Sequence, residues 1–288
     1  MIPPSFDYAS PKTLGDAVAL LSQHEGSKVL AGGHSLIPML KFRLAAPTLL
    51  VDINRLEGLA FIREADGWLR LGAMTREVDL ERSSLIAERY PLLADTTHMV
   101  ADPIVRQMAT VGGNLAHGDP ANDHPATMLA LGAEVVATGA KGSRTIPIAQ
   151  FFTGLFTTAL QPAEVLTEIR IPAPPPGSGG AYLKLERKVG DFATAGAAAF
   201  LVLKGGIIER AGIGLTNLGP TPIKATAAEA SLAGKKADDA AFAEAGRLAA
   251  SACKPGADRR GSVEYKTAMA RVLTVRALRK AAQRAGGR

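Results

Sequence analysis

Two stretches decide the fold of this chain: Val29-Leu30-Ala31-Gly32-Gly33-His34-Ser35 and, further along, Ala109-Thr110-Val111-Gly112-Gly113-Asn114. Each contains a glycine pair, follows a short apolar run and ends on a small polar residue. Glycine tolerates φ > 0 and has no Cβ to keep a ligand away from the backbone. Successive main-chain N–H groups in such a turn can converge on a phosphate. Two such turns in one domain predict two phosphates, and therefore a dinucleotide.

Neither stretch matches the common nucleotide-binding motifs. Both lack the G-x-G-x-x-G spacing of a Rossmann unit and the lysine of a P-loop. A single glycine pair would favour a tight turn between a strand and a helix; the two pairs together favour binding. Ser35 and Asn114 can hydrogen-bond a phosphate or ribose, or stabilise their own turns. Asn122 or Asp123 can cap the helix predicted to start at Pro125, or bind a ribose hydroxyl or a flavin ring nitrogen.

Composition excludes several classes of protein. The 288 residues contain one cysteine, Cys253, so the chain can form neither an internal disulfide nor a multi-thiolate iron–sulfur site. The histidines lack the spacing of a metal site, and no nucleophile motif is present. The first residues do not read as a signal peptide, and no apolar run is long enough for a membrane span. We therefore expect a soluble cytoplasmic protein with at most peripheral contact with the inner face of the membrane.

The net charge of +6 comes from one end of the chain. Seven basic residues and one acid lie between Glu264 and Arg288, and the rest of the sequence is balanced. Such a segment is typical of a solvated helix face or a docking surface. With 5% aromatic residues and no alternation of basic and aromatic positions, the chain offers little for bases to stack on. Nucleic-acid binding is therefore not expected.

Apolar spacing predicts alternating elements in the first part of the chain. Helices are predicted over 10–21 and 36–43, and buried strands over 29–31 and 49–53, which together indicate a small βαβ unit. Next come strands over 68–71 and 134–137, one or two helices over 80–100, and a hairpin turn at Lys141-Gly142-Ser143. The stretch 101–124 has little periodicity, which indicates a functional loop or an element that the pattern hides.

A proline- and glycine-rich stretch, 172–180, predicts a linker. After it, residues 181–216 predict three strands, with a hairpin at Gly205-Gly206. An alanine-rich helical region follows from Thr226 to the end. The predicted domains are therefore 1–176, with subdomains of about 1–55 and 56–176, and 177–288.

The glycine stretches carry a family resemblance. Ala31 to Pro38 and Thr110 to Asn114 resemble the two flavin-binding loops of the FAD-binding medium subunits of the molybdenum hydroxylase (xanthine dehydrogenase) family. Three further segments are similar: Leu71-Gly72-Ala73-Met74-Thr75, Lys188-Val189-Gly190-Asp191-Phe192-Ala193-Thr194-Ala195 and Ile213-Gly214-Leu215-Thr216-Asn217. Within the family, Gly118-Asp119-Pro120-Ala121-Asn122-Asp123 is most similar to the carbon monoxide dehydrogenase branch.

The resemblance implies an α+β chain with a vanillyl-alcohol-oxidase (PCMH) type of FAD-binding fold. Two α/β subdomains would hold FAD, and a C-terminal domain with a three-stranded antiparallel sheet and helices would cover the isoalloxazine and contact partner subunits. By position, backbone N–H groups of two segments would cradle the pyrophosphate. These are Ala31, Gly32, Gly33, His34 and Ser35, and Thr110, Val111, Gly112, Gly113 and Asn114.

Four further residues would contact FAD by the same resemblance. Asp123 would contact the adenosine side or the ribitol, while Lys184, Asp191 and Phe192 would approach the flavin. Related chains carry Tyr at the position of Phe192. Phe keeps the flat ring but loses the hydroxyl.

The expected function is electron transfer. The resemblance implies that FAD in this chain receives electrons from the 2Fe-2S clusters of a small iron–sulfur subunit and passes them to a quinone or another acceptor. A large subunit with the molybdenum cofactor would oxidise the substrate, in a dimer of heterotrimers, and no residue of this chain would be catalytic. The alternatives are a stand-alone flavoprotein oxidase or dehydrogenase, and a non-catalytic nucleotide-binding protein.

Overall fold

The N-terminal subdomain is a small parallel sheet with a helix on each crossover. The structure, a computed structural model, describes residues 1–286. Its first elements are β1 (Asp7–Ala9), α1 (Leu14–Gln23), β2 (Lys28–Leu30), α2 (Leu36–Lys41) and β3 (Leu49–Asp52). The strand order is β1-β3-β2, and both pairings are parallel. The predicted βαβ unit is therefore present. Helix α1 begins later than predicted because the Thr13 side chain caps it by accepting from the N–H of Asp16.

The second subdomain is a five-stranded antiparallel sheet covered by short helices. Its strands are β4 (Ile62–Ala65), β5 (Trp68–Gly72), β6 (Glu134–Gly139), β7 (Gly142–Pro147), β8 (Phe152–Gly154), β9 (Thr157–Thr158) and β10 (Val165–Pro172). Its helices are α3 (Glu77–Arg82), α4 (Ser84–Arg89), α5 (Pro91–Met99), α6 (Pro103–Arg106), α7 (Val111–His117) and α8 (His124–Leu131). The main sheet runs β4-β5-β10-β6-β7, and β8 and β9 form a separate hairpin.

Two predictions for this subdomain were wrong in detail, and one open alternative is decided. Residues 80–100 form parts of three short helices, because Ser83 caps α4 and Pro91 begins α5. The stretch 101–124 contains α6 and α7, so the second of its two alternatives, elements that the pattern hides, is confirmed. The turn between β6 and β7 is formed by residues 140–141, and Gly142 and Ser143 belong to β7.

The C-terminal domain is an antiparallel sheet packed against long helices. Its elements are β11 (Ser178–Leu185), β12 (Ala195–Lys204), β13 (Ile207–Thr216), β14 (Ile223–Lys224), α9 (Thr226–Leu232), α10 (Asp239–Ser251) and α11 (Val263–Gly286). Strands β11, β12 and β13 are the three predicted strands, and the two-residue β14 adds to their edge. The sheet begins six residues after β10 ends, so the predicted linker is shorter than 172–180.

The C-terminal sheet is covered by helices on both faces. Residues of β12 alternate: Ala197 and Ala199 pack toward α10 and α11, whereas Ala198 and Phe200 pack toward α5 and α8 of the second subdomain. Small residues let helices approach closely, and a Cβ on Gly214 would overlap the carbonyl oxygen of Ala126 in α8. The two domains therefore share a continuous apolar core at their contact.

Candidate functional site: a nucleotide cradle and a buried interdomain cluster

The first glycine pair forms an open turn between β2 and α2. Gly33 has φ +75°, a conformation that favours glycine. The ring Nδ1 of His34 lies 2.9 Å from the carbonyl oxygen of Gly32 and closes the turn. The main-chain N–H groups of Gly32, Gly33, His34 and Ser35 donate no hydrogen bond to any acceptor within residues 1–286. Four successive free N–H groups are the donor set that an anionic ligand requires.

The second glycine pair lies in the first turn of α7, not in a loop. Thr110 caps this helix, and its Oγ1 accepts from the N–H of Gly113 at 3.1 Å. The N–H groups of Val111 and Gly112 donate to the carbonyl oxygens of Thr75 (3.1 Å) and Ala73 (2.9 Å). The N–H of Asn114 is also bonded, to Thr110. The start of α7 therefore supplies two residues without Cβ atoms and the positive end of a helix. The free N–H donors lie instead in the turn between β2 and α2.

The two glycine segments meet in space. A Cβ built on Gly113 would lie 3.6 Å from the Cβ of Ala31, and Gly32 packs against the backbone of Met108. Asn54 Nδ2 donates to the carbonyl oxygen of Ala31 at 2.8 Å.

A half-buried arginine, Arg76, holds the two segments in place. Arg76 Nη2 donates to Asn54 Oδ1 at 2.7 Å, and its Nη1 donates to the carbonyl oxygen of Met108. Sequence reasoning missed both Arg76 and Asn54, because they lie on segments between the motifs.

The cradle fits FAD on these observations. It combines four unpaired N–H groups, a Cβ-free helix start and the Arg76 guanidinium beside it. The Oδ1 atom of Asn114 is buried without a hydrogen-bond partner among the described residues, so it is available to a ligand hydroxyl or ring N–H. The predicted contacts of individual residues with FAD remain predictions.

A buried polar cluster lies where the second subdomain meets the C-terminal sheet. Asp123, directly before α8, accepts from the Tyr182 hydroxyl at 2.6 Å and from Lys184 Nζ at 3.1 Å. The Tyr182 hydroxyl also lies 3.2 Å from the Oγ1 of Thr216. Burial raises the pKa of the Asp123 carboxyl, and the Lys184 charge opposes that rise. The structure thus joins Asp123 and Lys184, two residues that lie far apart in sequence, through one ion pair.

The third predicted flavin-side segment adjoins this cluster. The Asp191 carboxylate accepts hydrogen bonds from Arg187 and Arg260, each at 2.8 Å. The bond from Arg260 is the main reason why the pKa of this carboxyl lies well below its usual range. Phe192 is 47% exposed, and the Arg260 guanidinium lies 5.8 Å from its ring centroid. The ring is therefore available to a planar ligand. Arg260 was not predicted, since it lies in an irregular segment between α10 and α11.

A second buried ion pair lies behind the cluster. His124 Nε2 and Glu77 Oε2 are 2.8 Å apart, and both side chains are fully buried. Burial alone would lower the pKa of His124, but the Glu77 charge and hydrogen bond raise it overall. The pair fastens α3 to the start of α8. Sequence reasoning did not identify this partner of His124.

The described residues show neither a reactive thiol nor a metal site. Burial raises the pKa of the Cys253 thiol to about 12, which makes it unreactive. Residues 1–286 contain no group of side chains suited to a metal ion. Within the same part of the chain, no helix is both long and apolar enough to cross a membrane.

The basic C-terminal segment is largely neutralised within the chain. Four of its members form ion pairs with aspartates: Lys266 with Asp258, Arg279 with Asp239, and Lys280 and Arg284 with Asp95. Arg271 and Arg276 are exposed and have no carboxylate partner among residues 1–286, while Arg288 lies outside the described residues. The docking surface proposed from sequence therefore reduces to two arginines of α11.

Comparison with known proteins agrees with this geometry. Residues 4–174 match the family described as the FAD binding domain in molybdopterin dehydrogenase, and residues 180–281 match the CO dehydrogenase flavoprotein C-terminal domain. The chain is 47% identical to the carbon monoxide dehydrogenase medium chain of Hydrogenophaga pseudoflava, over 96% of this chain and 97% of that one. It is 37% identical to the 6-hydroxypseudooxynicotine dehydrogenase complex subunit alpha of Paenarthrobacter nicotinovorans, covering 99% and 97%.

A solved structure gives the same result. The chain superimposes on the carbon monoxide dehydrogenase of Hydrogenophaga pseudoflava that lacks the Mo-pyranopterin moiety of its molybdenum cofactor, with a TM-score of 0.97. The identity is 49%, and the match covers 99% of each chain. Fold and site together define an FAD-binding flavoprotein of the predicted α+β type. The chain belongs to the family of FAD-binding medium subunits of molybdenum hydroxylases, and the predicted family, fold class and cofactor are confirmed.

Proposed function

We propose that this chain is the FAD-carrying electron-transfer subunit of a carbon monoxide dehydrogenase type of complex. The cradle of free N–H groups at Gly32 to Ser35, which meets the glycine-bearing start of α7, carries the proposal. The identity of 47% to a carbon monoxide dehydrogenase medium chain, against 37% to a subunit of a nicotine-related dehydrogenase, favours carbon monoxide as the substrate of the complex.

The residues of the chain would position the cofactor rather than perform proton chemistry. Bound FAD supplies the ability to accept and donate electrons singly or in pairs. The N–H groups of the first turn would hold the pyrophosphate, and the start of α7 would approach it closely because Gly113 has no side chain. The exposed Phe192 ring would cover part of the isoalloxazine, with Arg260 beside it.

The buried acid–base groups beside the site are closed to a substrate. The buried His124–Glu77 pair is fully enclosed, and Asp123 is occupied by Tyr182 and Lys184. This favours an electron-transfer subunit over a stand-alone oxidase or dehydrogenase. The proposed partners are a small iron–sulfur subunit and a large molybdenum subunit, arranged as a dimer of heterotrimers, with a quinone or another acceptor downstream. We also propose a cytoplasmic location with at most peripheral contact with the inner face of the membrane.

The test is purification from the native source without a tag on any other subunit. We expect the chain to co-purify with two partners, with flavin absorbance, iron and molybdenum, and we expect carbon monoxide to reduce the flavin in the complex. The isolated chain should bind FAD and remain oxidised when carbon monoxide is added. If another donor reduced the flavin in the complex and carbon monoxide did not, the assignment of carbon monoxide as the substrate would be overturned. Turnover of a small molecule by the isolated chain would favour the stand-alone alternative.

A further inference from the structure

A short exposed segment at the end of α2 alternates basic and apolar residues. Lys41, Phe42, Arg43 and Leu44 are all exposed, whereas the preceding Leu40 is 1% exposed. Phe42 and Leu44 retain 63% and 74% of their accessible surface. Single exposed apolar residues are common, but two of them interleaved with cations form a distinct surface. These four exposed residues are the basic–apolar turn.

The exposure belongs to an ordered turn. The N–H of Arg43 donates to the carbonyl oxygen of Leu40 at 3.0 Å, and the N–H of Leu44 donates to that of Met39 at 2.9 Å. Arg43 has φ +58°, a left-handed conformation in which helices commonly end on glycine. A residue with a side chain is unfavourable in this region, and such residues cluster at functional sites. The arginine at this position therefore points to a role for its side chain.

The basic–apolar turn lies at the amino end of the N-terminal sheet, because it precedes β3. At the same end, the N–H of Asp7 donates to the carbonyl oxygen of Thr48 at 2.8 Å, so the segments that lead into β1 and β3 meet there. Ile2, in the segment before β1, is 82% exposed. The nucleotide cradle follows β2 and therefore lies at the opposite, carboxyl end of this parallel sheet.

Positive charge exceeds negative charge at the amino end. Lys28, the first residue of β2, is exposed there and, like Lys41 and Arg43, has no carboxylate partner among residues 1–286. Asp7 and Glu25 are exposed acids of the same end. The surface therefore combines exposed apolar side chains with three unpaired cations.

This combination fits an anionic lipid surface better than a protein partner. Protein interfaces are depleted in lysine, whereas segments that lie in the membrane interface combine Lys and Arg with Phe and Leu. Anionic headgroups attract the cations, and the apolar side chains enter the boundary between headgroups and acyl chains. A subunit that exchanges electrons with FAD has to approach the cofactor, whose cradle lies at the other end of the sheet.

We propose that the basic–apolar turn, with Ile2 and Lys28 at the same end of the sheet, is a peripheral membrane contact for a bilayer that contains anionic phospholipid. Its two apolar side chains enter the headgroup region, and its cations bind the lipid phosphates. This contact rests on the proposed function for its purpose, because a quinone acceptor is held in the bilayer. So few apolar groups and cations give weak, reversible and salt-sensitive binding.

The first test is sedimentation of the full-length chain, and of the complex, with lipid vesicles. We expect both to bind vesicles of phosphatidylcholine and phosphatidylglycerol in equal parts, not to bind phosphatidylcholine alone, and to be released at about 1 M salt. Phe42→Ser/Leu44→Ser should lower the partition coefficient about tenfold. Lys41→Gln/Arg43→Gln should lower it about thirtyfold, since both cations of the turn are lost. Failure of the wild-type chain and complex to bind the anionic vesicles would overturn the proposal.

Matched controls separate this surface from non-specific adsorption. Leu155→Ser/Phe156→Ser removes two apolar side chains that are 58% and 48% exposed, on a hairpin tip without cations. Arg271→Gln/Arg276→Gln removes two exposed arginines of α11 that have no carboxylate partner among the described residues. Both controls should bind vesicles as the wild type does. Equal losses in the controls and in the variants of the turn would show that the turn has no special part in binding.

A protein partner is the alternative occupant, and co-purification tests it. All these variants should retain FAD and the partner subunits. Loss of a subunit in the variants of the turn, or vesicle binding by the isolated chain but not by the complex, would identify a protein interface and refute the membrane contact. Absence of FAD, or of flavin reduction by carbon monoxide, would contradict the proposed function instead, while the vesicle comparison would still decide the role of this surface.

Discussion

Gly32 lies directly against Met108, so closely that a Cβ on Gly32 would overlap the Met108 carbonyl oxygen. Gly32 follows β2, and Met108 precedes the cap of α7, so this contact joins the two glycine segments. The same carbonyl oxygen accepts from Arg76. The glycine pairs therefore have two roles: they permit the backbones to touch, and they leave the resulting surface open to a ligand.

The two glycines at the start of α7 should respond differently to the same substitution. A Cβ at Gly113 would meet the Thr110 side chain at 2.7 Å and no backbone, whereas a Cβ at Gly112 would lie 2.5–2.6 Å from the Cβ and carbonyl oxygen of Ala73. We expect Gly113→Val to fold with a loss of about 1 kcal/mol from the disturbed cap, and to lose FAD. Gly112→Val should lose about 3 kcal/mol or fail to fold. Urea unfolding and flavin absorbance measure the two effects.

The control for the cap is Asp238→Ala. Asp238 caps α10 by accepting from the N–H of Ala241 at 3.0 Å, so its loss should cost a similar free energy of unfolding and leave FAD bound. Full flavin occupancy in Gly113→Val would contradict the assignment of the second glycine segment to the FAD site.

The sequence predicted most of the framework and part of the site. Periodicity identified the βαβ unit and the three long strands of the C-terminal sheet, because apolar alternation there is regular and the hairpin at Gly205-Gly206 is well marked. Periodicity did not identify the helices within 101–124, because α6 and α7 are only four and seven residues long. Such short helices are specified by caps such as Thr110 and by tertiary contacts, more than by a repeating pattern.

Pairings between distant residues were beyond sequence reasoning. The glycine motifs and Asp123 were identified, but Arg76, Tyr182 and Arg260 were not. Each of these three contributes through a partner far away in sequence: Asn54, Asp123 and Asp191 respectively. A single sequence carries no signal for such contacts, because they depend on how sheets and helices pack.

The His124–Glu77 pair should make stability depend on pH. Because Glu77 raises the pKa of His124 in the folded state, the stabilisation is fully present below about pH 6.5 and is lost as the pH rises through the folded-state pKa. In Glu77→Gln, His124 is buried without its counter-charge. We expect this variant to be about 3 kcal/mol less stable than the wild type near pH 6, with a smaller difference at higher pH.

Urea unfolding between pH 6 and 9 measures this effect. Glu244→Gln is the control, because Glu244 pairs with Arg247 on the exposed face of α10 and should show no such dependence. A constant difference between Glu77→Gln and the wild type across this range would show that His124 does not titrate with its partner.

The ion pairs of Asp95 link the two domains, and their contribution to the free energy of unfolding should fall at low pH. It lies on α5 and accepts from Lys280 (3.0 Å) and Arg284 (2.7 Å) of α11. Burial acts to raise its pKa, but the hydrogen bonds from these cations lower it overall. The stabilisation is therefore present above the unfolded-state value of about 4 and lost as the pH falls through the folded-state pKa. We expect Asp95→Asn to cost about 2 kcal/mol at pH 7, and less below pH 4.

Asp239→Asn is the matched control for this prediction. Asp239 pairs with Arg279, also on α11, but is 74% exposed in its side chain. Its loss should change stability by less than about 0.5 kcal/mol at any pH. Equal effects of the two substitutions, measured by urea unfolding, would show that the Asp95 interaction contributes no more than a surface ion pair.

Phe192 should contribute to FAD affinity through its ring. The side chain is 47% exposed, and its turn is fixed by the hydrogen bonds of Asp191 and Arg260. We expect Phe192→Ala to raise the dissociation constant for FAD about tenfold, since stacking and burial of an aromatic ring are both lost. Phe192→Tyr should retain wild-type affinity, because the hydroxyl adds to the rim of the ring. Phe6→Ala, at another phenylalanine that is 38% exposed, is the control. Fluorescence titration with FAD gives the three constants, and equal values for Phe192→Ala and Phe6→Ala would place the isoalloxazine away from this turn.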